Sequence, residues 1–177
     1  MSFDECYIRS AIRAIPDWPT PGIIFRDIAP LFLDPKALHI VIDALTQRYL
    51  DSNMTHIAAL DARGFLLGSI LAYKLNKPLI LVRKIGKLPG DTLSQKYQLE
   101  YGSACVEIQK DACAAGDRVL LIDDLIATGG SLLAASTLVR KLGAEIIEAA
   151  AIIDLPFLKG SSRLHEAGIP VHCLIAY

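Results

Sequence analysis

The stretch VLLIDDLIATGGS, residues 119–131, decides the fold. Residues 119–122 are continuously apolar, which is typical of a strand buried on both faces of a parallel sheet. Asp123 and Asp124 follow where that strand would reach the surface. Residues 128–131 then lead into a helical pattern that Gly143 closes. The order strand, loop, helix predicts one unit of an α/β protein.

The residues after this strand have the chemistry to bind a phosphorylated sugar. Glycines let backbone amides approach an anion, Thr128 and Ser131 add hydroxyl donors, and a helix N-terminus carries positive partial charge. The carboxylates of Asp123 and Asp124 can accept hydrogen bonds from vicinal hydroxyls or hold a hydrated divalent cation. The alternative is that both acids only cap the turn; the complete ordered block favours ligand binding.

Other sequence patterns make two ligand classes improbable. No Gly-Lys-Ser/Thr follows the glycines, and the chain contains no Gly-x-Gly-x-x-Gly. The patterns that hold nucleoside triphosphates and dinucleotides are therefore missing.

Outward from this block, short apolar runs alternate with helical patterns. Strands are predicted at residues 56–60, 79–82, 146–153 and 171–175, which indicates a mainly parallel sheet flanked by helices. The alternation in residues 104–109 predicts a half-buried strand with Glu107 on its polar side. Residues 83–97 lack sustained periodicity, and a long loop of this kind is often a functional lid.

The N-terminal region precedes the first buried strand. Ser2-x-x-Glu5 resembles a capping box, and apolar residues at helical spacing predict a helix that runs through Ile15 until Pro16 ends it. Residues 16–22 form a proline-rich connector. Asp34 and Pro35 begin a second helix with one apolar stripe. Because no second-domain linker is visible, residues 1–177 are predicted to be a single domain.

Composition narrows the function classes. The chain has 177 residues and a formal net charge of −1, so nothing draws it as a whole to nucleic acid or to an anionic membrane. Its acidic N-terminus does not resemble a signal peptide, and no apolar run approaches membrane-spanning length. We therefore expect a cytoplasmic protein. The four cysteines and four histidines are dispersed, which predicts reduced thiols and no structural metal.

The block at residues 119–131 resembles the phosphoribosyl-diphosphate signature of type I phosphoribosyltransferases. The resemblance implies their α/β fold, a mainly parallel sheet flanked by helices, with residues 1–35 contributing a base-binding hood. It also implies that Asp123 and Asp124 hold the ribose hydroxyls. The implied 5-phosphate cradle consists of Ala127, Thr128, Gly129, Gly130 and Ser131.

Three further segments resemble the family members that act on adenine. Residues 19–28 are similar to their adenine pocket, which implies that Ile24, Phe25, Arg26 and Leu125 bind the base. Residues 61–65 are similar to their pyrophosphate loop, with diphosphate bound by Ala62, Arg63 and Gly64. Residues 83–101 resemble their flexible catalytic loop. The family often has Ser in place of Ala62 and Pro in place of Asp91, which leaves open how tightly the loops close.

The resemblance implies a reaction in which adenine displaces diphosphate from 5-phosphoribosyl 1-diphosphate to give AMP. Arg63, Lys84 and Lys87 would stabilise the leaving diphosphate, Glu100 would manage the purine proton, and Tyr101 would position that end of the loop. Mg²⁺ is implied as the cofactor, held mainly by substrate and water near Asp123 and Asp124. The expected partners are these small molecules and a second copy of the chain in a homodimer.

Several alternatives stay open at this point. Arg63 could instead be a surface residue that pairs with Asp61, Phe25 could belong to the core, and Glu100 could be an exposed strand acid. The base could be hypoxanthine, guanine or xanthine, because backbone recognition leaves no side-chain signature. A regulator that senses ribose phosphate without catalysis is a rival, although no basic extension for nucleic acid is visible.

Overall fold

A computed structural model describes residues 4–99 and 102–177, with Leu99 described by its backbone alone. The chain divides into two compact units, Met1–Arg48 and Tyr49–Tyr177. The predicted hood, residues 1–35, falls within the first unit. Among the described residues, no helix is both long enough and apolar enough to cross a membrane.

The first unit contains a short helix, a two-stranded sheet and two further helices. Their bounds are α1 (Glu5–Ser10), β1 (Arg13–Pro16), β2 (Ile24–Asp27), α2 (Ala29–Leu33) and α3 (Pro35–Tyr49), the last residue of α3 being counted in the second unit. Asp34 begins α3 as predicted, because its carboxylate accepts hydrogen bonds from the N–H groups of Lys36 and Ala37 at 2.9 and 3.2 Å.

The prediction that the first helix runs through Ile15 is wrong. Helix α1 ends at Ser10, and Ile15 lies in β1, where it pairs with Phe25 of the antiparallel strand β2. Pairing with a distant strand overrode the helical spacing of the apolar residues. The N-cap is Asp4, whose side chain accepts a hydrogen bond from the N–H of Tyr7 at 3.0 Å, while Ser2 lies outside the described residues.

The second unit is built on one mixed sheet. Its elements are β3 (His56–Leu60), α4 (Gly64–Leu75), β4 (Leu79–Lys84), β5 (Thr92–Leu99), β6 (Gly102–Gln109), β7 (Arg118–Ile122), β8 (Leu125–Ile126), α5 (Gly130–Lys141), β9 (Glu145–Asp154), a 3₁₀ turn (Pro156–Leu158), α6 (Gly160–Glu166) and β10 (Val171–Ala176).

The strand order confirms the predicted α/β class. It runs β10-β9-β7-β3-β4-β6-β5, and the short β8 pairs with β9. The pairs of β3 with β4 and β7, and of β9 with β7, β8 and β10, are parallel; β6 is antiparallel to β4 and β5. The central strands β3 and β7 are almost entirely buried, as their continuous apolar character predicts.

The prediction of a loop without secondary structure at residues 83–97 is wrong at both ends. Strand β4 continues to Lys84, and β5 begins at Thr92 and pairs with β6 along its whole length. The strand was hidden because Ser94, Gln95 and Lys96 give it no apolar alternation, and the neighbouring β6 supplies its partners. Whether residues 83–101 form a flexible catalytic loop stays a prediction.

Candidate active site

Two loops meet where the neighbouring parallel strands β3 and β7 end. The first loop, residues 61–63, follows β3 and leads into α4. The second loop follows β7 and β8 and leads into α5; its residues 127–131 are called the phosphate loop here. Because β3 and β7 are hydrogen-bonded neighbours, the two loops lie at the same edge of the sheet, where α/β proteins bind ligands.

A glycine allows the two loops to approach closely. A Cβ atom on Gly64 would lie 2.8 Å from the carbonyl oxygen of Ile122 and 3.1 Å from the Cα atom of Asp123. Any side chain would therefore force the start of α4 away from the end of β7. The glycine that the sequence places beside Arg63 is the residue that brings the predicted diphosphate and ribose subsites together.

The phosphate loop presents unsatisfied donors. Gly129 is the N-cap residue of α5 and has φ of +74°, a left-handed conformation that favours glycine. No side chain caps the helix, and no described residue accepts a hydrogen bond from the backbone N–H groups of residues 128 to 132. Gly129, Gly130 and Leu132 are buried. Unpaired N–H groups at a helix N-terminus form a site for an anion.

The two aspartates beside this loop differ in their surroundings. The buried carboxylate of Asp124 accepts a hydrogen bond from Nε of Arg63 at 2.6 Å. The carboxylate of Asp123 accepts one from the N–H of Asp124 at 2.9 Å. Burial, and then the neighbouring Asp124 carboxylate, raise the pKa of Asp123 well above its usual range. Asp123 is therefore poised to gain from a hydroxyl donor or a cation that stabilises its charge.

The pairing of Arg63 answers one open alternative. Arg63 contacts Asp124 and not Asp61, which instead accepts a hydrogen bond from Nε of Arg83 at 3.3 Å. Arg63 is half-exposed while its partner is buried, so the guanidinium retains a solvent-facing side. A planar guanidinium in this position can bind a second anion, as the predicted diphosphate subsite requires.

The basic segment after β4 is held by a residue that sequence reasoning placed on a polar face. Glu107 of β6 is buried, and its carboxylate accepts hydrogen bonds from the N–H groups of Lys87 and Leu88, both at 2.8 Å. These backbone bonds, with that of Leu88 the largest, hold the pKa of Glu107 below its usual range against the opposing effect of burial. Alternation alone carries no signal for such a buried acid.

The same segment is also tied to the first loop. Nη1 of Arg83 donates to the carbonyl oxygen of Lys87 at 3.0 Å, so Asp61, Arg83 and Lys87 form one connected chain. The side chains of Lys84 and Lys87 are exposed. The structure therefore gives the backbone of Lys87 a defined place and leaves its ammonium group available to a ligand.

The end of the hairpin formed by β5 and β6 lies against the N-terminus of α5. A Cβ atom on Gly130 would be 3.0 Å from the ring of Tyr97 and 3.2 Å from the carbonyl oxygen of Gln98. Burial, followed by the charge of Asp123, raises the pKa of Tyr97. The predicted catalytic residues Glu100 and Tyr101 lie outside the described residues, and their roles stay predictions.

The predicted base-binding residues belong to different units. Ile24, Phe25 and Arg26 are in β2 of the first unit, and Leu125 is in β8 of the second. Ile24 is exposed, and the ring of Phe25 packs edge-to-face on Trp18 with ring centroids 4.4 Å apart. Phe25 is half-buried rather than a fully buried core residue, which keeps it compatible with stacking on a base.

The acid pair fits a magnesium ion that takes most of its ligands from elsewhere. Within residues 4–99 and 102–177, no cluster of three or more His, Cys, Asp or Glu side chains is arranged to hold a metal. Magnesium commonly keeps several waters and binds one or two carboxylates together with substrate oxygens. Asp123 and Asp124 supply that number of carboxylates.

Comparison with known proteins identifies the family. Residues 32–175 match the phosphoribosyl transferase domain. Over its full length the chain is 60% identical to the adenine phosphoribosyltransferase of Pseudomonas fluorescens, and the aligned region covers 97% of that protein. The Thermoanaerobacter pseudethanolicus enzyme of that name superposes with a TM-score of 0.92 at 43% identity, covering 97% of this chain and 98% of that one.

A third relative was solved with ligands. It is the adenine phosphoribosyltransferase of Trypanosoma brucei in complex with AMP, pyrophosphate and ribose-5-phosphate. Its TM-score is 0.88 at 30% identity, covering 99% of this chain and 81% of that one. The chain belongs to the phosphoribosyltransferase family and, within it, to the adenine phosphoribosyltransferases.

Proposed function

We propose that this chain transfers the 5-phosphoribosyl group of 5-phosphoribosyl 1-diphosphate to adenine in purine salvage, giving AMP and diphosphate. The bond from ribose C1 to the diphosphate oxygen breaks with its electron pair leaving on the diphosphate, and a bond from adenine N9 to C1 forms. The observation that carries the proposal is the phosphate loop, whose backbone N–H groups have no acceptor among the described residues and lie beside a pair of carboxylates.

Each end of the sugar phosphate has a matching group. The N–H groups of residues 128 to 132 bind the 5-phosphate, and the hydroxyls of Thr128 and Ser131 add donors. Asp123 and Asp124 accept hydrogen bonds from the ribose hydroxyls. Ala62, Arg63 and Gly64 bind the diphosphate, and the ion pair between Arg63 and Asp124 couples the two subsites.

Charge develops in opposite directions as the bond to the leaving group lengthens. The diphosphate becomes more negative, and the guanidinium of Arg63 with the ammonium groups of Lys84 and Lys87 stabilises it. The ribose becomes more positive, and Asp123 and Asp124 lie on its side. Glu100 would take or return the purine proton, and Tyr101 would position that segment; both roles rest on the resemblance of residues 83–101 to the family's catalytic loop.

Magnesium is proposed as the cofactor. It would be held by oxygens of the substrate, by water, and by Asp123 and Asp124, where it would offset the charge of the diphosphate. Support comes from the paired acids and from the raised pKa of Asp123, because a nearby cation stabilises the charged form of that carboxylate.

The proposed assembly is a homodimer in the cytoplasm. Its support is a set of exposed apolar side chains in the second unit. Leu66 and Tyr73 are 49% and 88% exposed and lie two turns apart on one face of α4. Leu81 of β4 is also partly exposed. Sedimentation equilibrium tests the dimer, and a monomer at micromolar concentration would contradict it.

A coupled assay with each purine base tests the reaction. We expect AMP formation from adenine with 5-phosphoribosyl 1-diphosphate and Mg²⁺, and at least about a hundredfold lower kcat/KM with hypoxanthine, guanine or xanthine. Equal or better turnover of a 6-oxopurine would assign a different base. Binding of the sugar diphosphate without turnover of any base would favour the sensing regulator.

A further inference from the structure

We propose that Gly160 and Arg163 at the start of α6 are positioning residues that hold the phosphate loop in its anion-binding shape. The inference rests on the proposed function, because it concerns the same 5-phosphate subsite. Neither residue carries a signal in the sequence: they stand 29 or more positions beyond the phosphate loop, in a short helix. Two contacts with the phosphate loop and the anchoring of α6 support the proposal.

The first contact is a hydrogen bond from Arg163. Its Nη1 atom donates to the carbonyl oxygen of Thr128 at 2.7 Å. In a planar trans peptide the C=O and N–H groups point in opposite directions, and the bond from Thr128 to Gly129 is trans. By fixing the carbonyl of Thr128 toward α6, Arg163 turns the N–H of Gly129 away from α6.

The second contact is close backbone packing. A Cβ atom on Gly160 would lie 2.7 Å from the backbone nitrogen of Gly129 and 2.9 Å from Cγ2 of Ile126. Reciprocally, a Cβ atom on Gly129 would lie 2.9 Å from the carbonyl oxygen of Gly160. The two glycines are in contact along their backbones, so the phosphate loop cannot move toward α6.

The third observation is that α6 is itself anchored. The hydroxyl of Ser161 lies 3.0 and 2.8 Å from the two carboxylate oxygens of Asp154, and Leu164 is fully buried. Asp154 is the last residue of β9, and the N–H of Leu155 immediately after it donates to the carbonyl oxygen of Ile126 at 3.0 Å. The phosphate loop therefore packs against a helix that is itself hydrogen-bonded to the end of β9.

This support matters because α5 has no capping side chain. Its first-turn N–H groups keep their direction only if the preceding loop keeps its shape. Pre-organised donors bind an anion more tightly than donors that must be ordered during binding. Gly160 and Arg163 would therefore act on phosphate affinity without touching the base or the reacting atoms.

Arg163→Met tests the proposal, with Arg140→Met as its matched control. Both arginines are exposed, and Arg140 donates to a backbone carbonyl too, that of Ala167, at 3.2 Å. We expect Arg163→Met to weaken AMP binding and raise the KM for 5-phosphoribosyl 1-diphosphate by about tenfold, the effect of one lost hydrogen bond. Affinity for adenosine, kcat and the KM for adenine should change less than about twofold, because they do not depend on the 5-phosphate. Arg163→Lys should restore much of the affinity, and Arg140→Met should match the wild type.

Gly160→Ala should lower the affinity for AMP more than Arg163→Met does, because the new methyl group would displace the backbone of the phosphate loop. Its thermal melt and circular dichroism establish whether it folds; if it does not, Arg163→Met alone decides the test.

A salt control applies to both variants. Calorimetry with AMP and adenosine is repeated at 1 M salt, where the Debye length is about 3 Å. A persistent loss of AMP affinity supports positioning, whereas a loss that disappears assigns a long-range charge effect and overturns it.

Other outcomes are equally decisive. Unchanged AMP affinity in Arg163→Met, or an equal loss of AMP and adenosine affinity, overturns the inference. A wild-type chain that neither binds AMP nor forms it from adenine removes the proposed function instead, so the two failures are distinguishable.

Discussion

The polar groups at the two ends of strands β3 and β7 differ in how completely they are hydrogen-bonded. At their amino ends, Thr55, His56 and Asp117 bond mainly to one another and to the backbone. At their carboxyl ends, Asp123 and Asp124 adjoin backbone N–H groups for which the described part of the chain supplies no acceptor. Both ends belong to the same two strands, so we attribute the difference in hydrogen bonding to function: the amino end stabilises the fold, and the carboxyl end is available to a ligand.

At the amino end, the hydroxyl of Thr55 is central. Its Oγ1 atom accepts a hydrogen bond from the N–H of Arg118 at 2.8 Å and lies 2.9 Å from Nδ1 of His56. It also donates to Oδ1 of Asp117 at 3.3 Å, while Oδ2 of Asp117 accepts from the N–H of Ala114 at 2.8 Å. Among the described residues, Nε of Arg118 is a buried side-chain atom that has no hydrogen-bond partner. A network with most of its bonds made stabilises the fold.

At the carboxyl end, the structure keeps groups that are unfavourable without a ligand. Burial and a neighbouring carboxylate raise the pKa of Asp123, and no side chain caps the N-terminus of α5. Such groups persist at functional sites because a ligand completes them. We therefore expect substitutions at the carboxyl end to act mainly on binding and catalysis, with smaller effects on stability, and those at the amino end to act on stability alone.

The largest expected effect comes from the double variant Asp123→Asn, Asp124→Asn. It removes two charged acceptors of the ribose hydroxyls, each worth roughly 1.5–3 kcal/mol. Affinity for 5-phosphoribosyl 1-diphosphate should fall by about 10²–10⁴-fold in calorimetry while circular dichroism stays unchanged. The control is Asp117→Asn, which should bind normally. Wild-type affinity in the double variant would remove both aspartates from the site.

Arg63→Met should come next. Loss of one stabilising donor commonly costs 10²–10³-fold in rate, so kcat/KM should fall by about that factor. The thermal midpoint should also fall, because the buried carboxylate of Asp124 loses the cation that contacts it. Arg63→Lys keeps the charge but not the guanidinium fork, and should recover stability more completely than activity. Full activity in Arg63→Met would disprove its role.

Thr55→Val, at the amino end, should lower stability and leave activity almost unchanged. Valine has a similar shape but leaves the N–H of Arg118 without its side-chain acceptor. The free energy of unfolding should fall by about 1–3 kcal/mol in urea titration, with kcat/KM within about twofold of the wild type. A large change in kcat/KM in a folded Thr55→Val variant would show that the amino end is not purely structural.

The smallest effect is expected from the single variant Asp123→Asn without ligand. Because the folded pKa of Asp123 is raised, its protonated form stabilises the fold, and that stability is lost as the pH rises from the usual aspartate pKa through the raised one. Asparagine stays neutral, so the variant should melt about 2–4 °C higher than the wild type at neutral pH if the gain is about 1 kcal/mol. The difference should vanish at acid pH. A lower midpoint than the wild type at neutral pH would contradict the pKa of Asp123.

Local sequence was informative wherever neighbours along the chain decide the structure. The apolar run at residues 119–122, the acids after it and the glycines before α5 lie in one strand, loop and helix, and the structure has them in that order. Strand β6 was predicted from its alternation, but its partner β5 was not, because a polar strand gains its stability from the strand beside it.

Contacts between distant residues could not be predicted. Arg63 pairs with Asp124, 61 positions away, rather than with the nearby Asp61. Glu107 binds the backbone of Lys87 from within a strand whose alternation places it on the polar face, and Arg163 binds Thr128 from a helix. Each depends on where a sheet places segments that are far apart in the chain.

The sequence by itself determined the fold class and the chemistry at the end of β7, because burial patterns and glycine positions act over a few residues. Only the tertiary structure decided which cation meets which carboxylate and what supports the phosphate loop. The physical reason is that hydrogen bonds and ion pairs act over about 3–4 Å, a distance that sequence separation does not specify.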